Sequence, residues 1–273
     1  MTVKDHSVSG ETFELLRDEN LNMLITSPKP DVQNLSKYYE SDNYISHTDG
    51  KRSLFENAYH FVKSIALKKK VNLINSLQKE KGTLLDIGAG TGDFLLAAQN
   101  NGWQTTGFEP SEKARKIAKN KGVTFAKETT NLPDHSFDII TMWHVLEHVP
   151  DLNVQIKELK RLVKPTGTIL IAVPNFNSYD AKHYKEFWAA YDVPRHLWHF
   201  SKTAIRLLFE KENMKLAKVL PMKFDVYYVS LLSEKYKTGK MKYISALLTG
   251  LKSNWKAKDN NEYSSHIYVL ENS

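Results

Sequence analysis

Three groups of residues have the types and spacing to do chemistry. Asp86 precedes a turn written Gly88-Ala89-Gly90-Thr91-Gly92, and Glu109 follows 21 positions after Gly88. His144, Glu147 and His148 lie in the stretch WHVLEH at the i, i+3, i+4 spacing that lets side chains share one helical face. Arg195, His196 and His199 lie in DVPRHLWHFS, inside a long aromatic stretch that begins at Asn175 and includes Tyr191. The glycines allow a sharp turn and close approach of a ligand to the backbone, and an acid at the end of the following strand can accept hydrogen bonds from both hydroxyls of a ribose. A histidine of near-neutral pKa such as His144 suits a general base, and Arg195 suits an anionic group. The chain contains no cysteine, which excludes disulfides, thiolate metal sites and cysteine nucleophiles.

The acids around the glycines narrow the ligand. A dinucleotide turn of the form G-x-G-x-x-G would need glycine at position 93, where this chain has Asp93. Asp86 would repel a pyrophosphate and attract a cation. S-adenosylmethionine carries a sulfonium and an ammonium, so Asp86, the glycine turn and Glu109 together favour it over a dinucleotide.

The elements that must position these groups follow from periodicity. Ser53 to Leu77 has helical apolar spacing and reads as one helix, or as two with a break near its lysines. Strand and helix then alternate, as in a parallel sheet covered on both faces. Strands are expected at Thr83–Ile87, Gln104–Glu109, Val123–Ala126, Phe137–Trp143, Gly167–Val173, Leu216–Phe224 and Ile267–Glu271. Helices are expected at Asp93–Asn100, Ser111–Asn120, Asn153–Leu162 and Lys202–Glu212. His144 then stands at the carboxyl end of the fourth strand, beside the glycine turn. Residues 1–52 read as an N-terminal extension containing a hairpin, FELLRDENLNMLIT, that turns near Glu19 to Asn22. Residues 53–273 read as one α/β domain with a helical insertion at 225–262.

The segments FDIITMWHVLEHVPD, LKRLVKPTGTILIAVPN and DVPRHLWHFS resemble the class I S-adenosylmethionine-dependent methyltransferases of small-molecule type, over roughly Gly82 to Glu212. The resemblance implies a Rossmann-like sheet of order 3-2-1-4-5-7-6 with strand 7 antiparallel. It places Asp86, Gly88, Ala89, Gly90 and Gly92 around the methionine moiety and Glu109 on the ribose. Phe108 and Pro110 flank that acid, Glu128 and Thr129 stand beside the adenine, and Trp143 and His144 complete the cofactor site. The N-terminal segment resembles one that carries a Cys-x-x-Cys zinc ribbon in many relatives. Asp18 and Leu21 stand at the matching positions here, so a metal-free remnant hairpin is expected. KYYESDNYISH resembles a segment that packs over the cofactor, which makes Tyr39, Tyr44 and His47 candidate lid residues. Ubiquinone-pathway O-methyltransferases, which WHVLEH also resembles, hold a divalent metal on an acidic cluster. His144 replaces its first acid, and no metal is expected.

Catalytic work falls to His144, His196 and Arg195, with Asn175 and Tyr191 facing the acceptor. The activity implied is methyl transfer to a small-molecule or lipid-linked acceptor at oxygen. An S-adenosylmethionine-binding scaffold without turnover and an RNA or protein methyltransferase are the alternatives. The net charge is +7; basic residues cluster at Lys63 to Lys70, Lys113 to Lys121 and Lys235 to Lys258 with acids dispersed between them, and no arginine-rich groove interleaved with aromatics is present, so no nucleic acid partner is expected. A leader or membrane-spanning stretch is not evident, and a cytoplasmic location is the expectation. The insertion is read as a plain amphipathic helix packed on the core, the commonest case, or as a wall of the acceptor pocket, a homodimer contact or a peripheral lipid contact.

Overall fold

The computed structural model describes residues 1–31, 36–39 and 54–273. Three short strands come first: β1 (Thr2–Lys4), β2 (Thr12–Asp18) and β3 (Met23–Ser27). Helix α1 (Leu54–Leu77) leads into β4 (Thr83–Ile87), α2 (Asp93–Gln99), β5 (Gln104–Phe108) and α3 (Glu112–Lys119). Then come β6 (Phe137–Trp143), α4 (Leu152–Leu162), β7 (Val163–Pro174), α5 (Tyr179–Tyr184) and β8 (Trp198–His199). The chain closes with α6 (Lys202–Glu210), β9 (Met214–Pro221), α7 (Asp225–Thr238), α8 (Tyr243–Asn260) and β10 (Ser265–Asn272).

The main sheet has the order β5-β4-β6-β7-β10-β9. β5, β4, β6 and β7 run parallel, while β10 pairs antiparallel with both β7 and β9. Leu84, Leu85 and Ile87 of β4 and the run from Ile169 to Val173 of β7 are buried, as expected of strands covered by helices on both faces. Ser111, Asp151 and Ser201 cap α3, α4 and α6 by accepting hydrogen bonds from the first-turn N–H groups.

One expectation needs correction. The strand expected at Val123–Ala126 shrinks to a single bridge between Gly107 and Phe125, so among the described residues the sheet has six strands where seven were expected. Only the N–H of Gly107 to the Thr124 carbonyl and the N–H of Ala126 to the Gly107 carbonyl tie this segment to β5. With Gly122 at positive φ just before it, the segment turns away too soon to build a ladder. Of the two readings of the stretch before β4, the single helix holds: α1 runs 24 residues without interruption.

A second sheet, β1-β2-β3-β8, contains the expected hairpin. The Asp18 carboxylate accepts from the N–H groups of Asn20 and Leu21 and so closes the turn. β8 comes from the DVPRHLWHFS stretch and pairs Trp198 and His199 with Ile25 and Leu24. Val3, Phe13 and Leu15 share a core with Tyr184, Trp188, Tyr191 and Val193. The hairpin is therefore built into the wall beyond β7.

Candidate active site

Gly88 and Gly90 form the turn after β4 with φ of +72° and +53°. A Cβ on Gly88 would lie 2.4 Å from Val145 Cγ2, so only glycine fits there. A Cβ on Gly90 would meet nothing within 4 Å and would project into the open space above the turn. The N–H groups of Gly88 and Ala89 both donate to the Phe108 carbonyl, which ties the turn to the end of β5. There the Glu109 carboxylate accepts from the N–H of Gly90 at 2.9 Å and of Ser111 at 2.8 Å. A carboxylate has about four lone-pair sites, so it can still accept from a diol. Pro110 and Glu128 are exposed and Thr129 half-buried, the last two at a one-turn helix beyond the Phe125 bridge. Asp93, where a dinucleotide site needs glycine, pairs with Lys121 at 2.6 Å.

Asp86 is buried within β4 and accepts a 2.6 Å hydrogen bond from the Thr141 hydroxyl. Burial raises its carboxyl, Thr141 and the Lys70 ammonium oppose that, and the result is about 7. Lys70 reaches in from α1, and its Nζ lies 4.2 Å from the centre of the Trp143 ring. Burial pulls Lys70 below its ordinary value, against the pull of Asp86 and Asp225. Trp143 packs edge-on against Phe94, and its buried indole Nε1 has no hydrogen-bond partner. The open cradle at Gly90, the acid at the end of β5, the buried acid below and the unpartnered indole N–H fit S-adenosylmethionine.

His144 follows β6 with φ +58°, a left-handed conformation that is uncommon outside glycine and concentrates at functional sites. Its Nε2 lies 2.9 Å from Asp225 Oδ2 and its Nδ1 3.3 Å from Glu147 Oε1. Carboxylates only accept, so both ring nitrogens carry protons. Burial alone would lower His144, but Asp225 and Glu147 outweigh it and push it up to about 10. The near-neutral value expected from the sequence is thus replaced by a resident imidazolium, because the ring sits between two acids.

Glu147 is fully buried, and its Oε2 has no partner. His148 Nδ1 faces the Arg195 carbonyl and His196 Nδ1 faces the Ala190 carbonyl, both at hydrogen-bond distance, which leaves each Nε2 as the acceptor atom. Burial and the neighbouring His196 push His148 down to about 4. Glu147, His148 and His196 place one ligand atom each within 4.8 Å of the others. By donor type and spacing this group could hold a divalent cation.

A cavity of about 590 Å³ opens beyond the carboxyl ends of β6 and β7. His144, Asp225, Arg195 and His196 line it, with Tyr228, Leu232 and Tyr236 from α7 and His6 and Ser7 from the N-terminal loop. Arg195 is 2% exposed and already bonded: to Asp192 through Nε and Nη2, to Asp5 and the Ser7 hydroxyl through Nη2, and to the Tyr38 carbonyl through Nη1. Two expected acceptor-facing residues do not line this cavity. Asn175 is buried and spends its side chain on Glu262, the Tyr263 carbonyl and the Asn177 N–H. Tyr191 is buried edge-on between Trp188 and His199. Tyr39 lies against His148, its hydroxyl 3.0 Å from Nδ1. Tyr44 and His47 lie outside the described residues.

The sequence did not single out Lys70, Thr141, Asp225 or His6. Asp225 opens the insertion right after Phe224, and His6 reaches the cavity only because Asp5 is bonded to Arg195, so neither carries a local signature.

The fold and this arrangement define a class I methyltransferase architecture. The chain belongs to the methyltransferase-domain family, whose pattern matches residues 59–219, and the cofactor of that family is S-adenosylmethionine. It is 33% identical over 131 residues to a ubiquinone biosynthesis O-methyltransferase of Actinobacillus pleuropneumoniae, covering 39% of this chain and 56% of that protein. It is 30% identical over 150 residues to a demethylmenaquinone methyltransferase of Staphylococcus aureus, covering 50% of this chain and 56% of that protein. The chain thus spans a little over half the length of these curated relatives. Among solved structures, the magnesium protoporphyrin IX methyltransferase of Synechocystis with bound SAH shares the fold, with a TM-score of 0.58 at 14% identity over 89% of this chain and all of that one.

Proposed function

We propose that the protein transfers a methyl group from S-adenosylmethionine to an oxygen of a small, largely apolar acceptor seated in the 590 Å³ cavity. The cavity carries the proposal: it lies beyond the ends of the parallel strands, takes His144 into its wall from the end of β6, the strand that pairs with β4, and is otherwise walled by tyrosines and leucine with a few convergent polar groups. The sulfonium cofactor supplies an activated methyl group, so the protein's work is alignment and exclusion of water. In this proposal Glu109 holds the ribose hydroxyls, the open space at Gly90 makes room for the cofactor, and Asp86 favours the cofactor's cationic end. His144 fixes the Asp225 carboxylate, which lines the cavity, orients the acceptor hydroxyl by accepting its hydrogen bond and takes up the proton that the oxygen loses as it gains the methyl group. Arg195 and His196 shape the cavity wall. The quinone-pathway names of the curated relatives support a ring-bearing small molecule as acceptor and, for the ubiquinone enzymes, oxygen as the atom methylated.

The test is transfer of labelled methyl from S-adenosylmethionine to fractionated metabolites. Label in an organic-extractable small molecule, lost in Asp225→Asn, is the expected result. Label confined to RNA or protein would overturn the acceptor class, and cofactor binding without transfer to any fraction would leave a scaffold.

A further inference from the structure

Helix α8 is packed inside out. Its buried face is Ala246, Thr249, Gly250, Ser253 and Ala257, small residues that let α7 approach closely, with Tyr227 Cδ1 2.6 Å from where a Cβ on Gly250 would stand. Its large apolar residues Ile244, Leu247, Leu248, Leu251 and Trp255 all face outward. Ile244 is 77% exposed, Leu248 60% and Trp255 62%. At 3.6 residues per turn these five fall within about 100° of arc, a continuous stripe opposite the buried face. A folded chain does not ordinarily leave such a stripe in water.

Charge says what covers it. From Lys235 to Lys258 the sequence has seven lysines and no aspartate or glutamate. Lys240 and Lys242 stand at the helix entry and Lys256 and Lys258 near its end, all exposed. An apolar stripe holding tryptophan, leucine and isoleucine, flanked by lysines with Asp259 as the one acid of the helix, has the make-up of a helix that lies in the interface of an anionic bilayer. A second copy of the chain would bring seven like charges against seven. Among the described residues no helix is long and apolar enough to cross a membrane, so the contact is peripheral.

We propose that α8 docks the protein on anionic membrane surfaces, with Ile244, Leu247, Leu248, Leu251 and Trp255 entering the acyl boundary and the lysines contacting lipid phosphates. The neighbouring α7 carries the cavity wall, so docking brings the acceptor cavity to the membrane surface. The docking itself does not depend on which acceptor is methylated.

Sedimentation of the full chain with vesicles tests this. Binding to vesicles of phosphatidylcholine mixed with phosphatidylglycerol should exceed binding to phosphatidylcholine alone by roughly tenfold or more. It should weaken in about 1 M salt, where the Debye length falls to about 3 Å. Leu248→Glu/Leu251→Glu should abolish it, and Lys240→Glu/Lys242→Glu should weaken it, with the melting temperature and S-adenosylmethionine binding unchanged because all four side chains are exposed. Absence of vesicle binding, equal binding to neutral vesicles, or a leucine double variant that turns a dimer into a monomer and leaves sedimentation unchanged would each overturn the proposal.

Discussion

Replacing Arg195 by methionine separates a fastener from a substrate-binding residue. The guanidinium is buried and bridges two carboxylates from distant parts of the chain, Asp5 at 3.1 Å and Asp192 at 2.6 Å, and it also holds the Tyr38 carbonyl. Removing one partner of a buried ion pair costs about 3 to 5 kcal/mol. The lower end applies, because Asp5 keeps the N–H groups of Ser7, Val8 and Ser9 and the Asp192 side chain is about one quarter exposed. A loss of about 3 kcal/mol lowers the melting temperature of a domain this size by roughly 6–12 °C. Differential scanning calorimetry and denaturant unfolding measure it. The acid limb gives a second readout. Burial raises the Asp5 carboxyl, but Ser9, Arg195 and Ser7 hold it well below the ordinary 3.8. A lowered carboxyl contributes stability above its unfolded value that is lost as the pH falls through the folded value, so Arg195→Met should flatten the loss of stability below about pH 4. If the variant melts as the wild type does yet loses methyl transfer, Arg195 binds the acceptor and the fastening role is refuted.

Three further outcomes are expected. Glu109→Ala removes the acceptor of the ribose hydroxyls and should raise the Kd for S-adenosylmethionine roughly 100-fold, about 3 kcal/mol for two hydrogen bonds to a charged group, by calorimetry; an unchanged Kd rejects the assignment. Because burial holds Asp86 up to about 7, a bound cation should expel a proton there, so affinity rises with pH across neutrality and the binding heat depends on the buffer's ionisation heat; Asp86→Asn should remove both effects. His144, held up to about 10 by Asp225 and Glu147, contributes stability that is complete below its ordinary 6.5 and lost as the pH rises through about 10; an NMR titration in which Asp225→Asn leaves His144 unmoved would count against that pair.

The glycine turn and the acid after β5 were readable in the sequence because their signals are local. A turn that needs positive φ at Gly88 and Gly90, and an acid at the end of the next strand, follow from spacing along a short β-turn-α unit. The acceptor half was readable only in outline. His144 stood out, but its two carboxylate neighbours come from a one-turn helix and from α7, and Asp225 lies 81 positions away. Asn175 and Tyr191 looked like acceptor contacts because a long aromatic connection invites that reading; Glu262 and Tyr263, between α8 and β10, instead hold Asn175 in hydrogen bonds, and the rings of Trp188 and His199 enclose Tyr191. The strand expected at Val123–Ala126 failed for lack of length, which apolar content alone does not report.

By itself the sequence determined the alternation of strand and helix, the glycine turn, the acids that favour a cationic ligand and the N-terminal hairpin, all set by periodicity and by residues within a few positions of one another. Only the tertiary structure decided that the hairpin joins β8, that Arg195 binds Asp5 across 190 positions and that His144 is a cation. It also turned the apolar face of α8 outward. Those outcomes depend on which groups meet after the chain has crossed the sheet, and on how burial and neighbouring charge compete once they do.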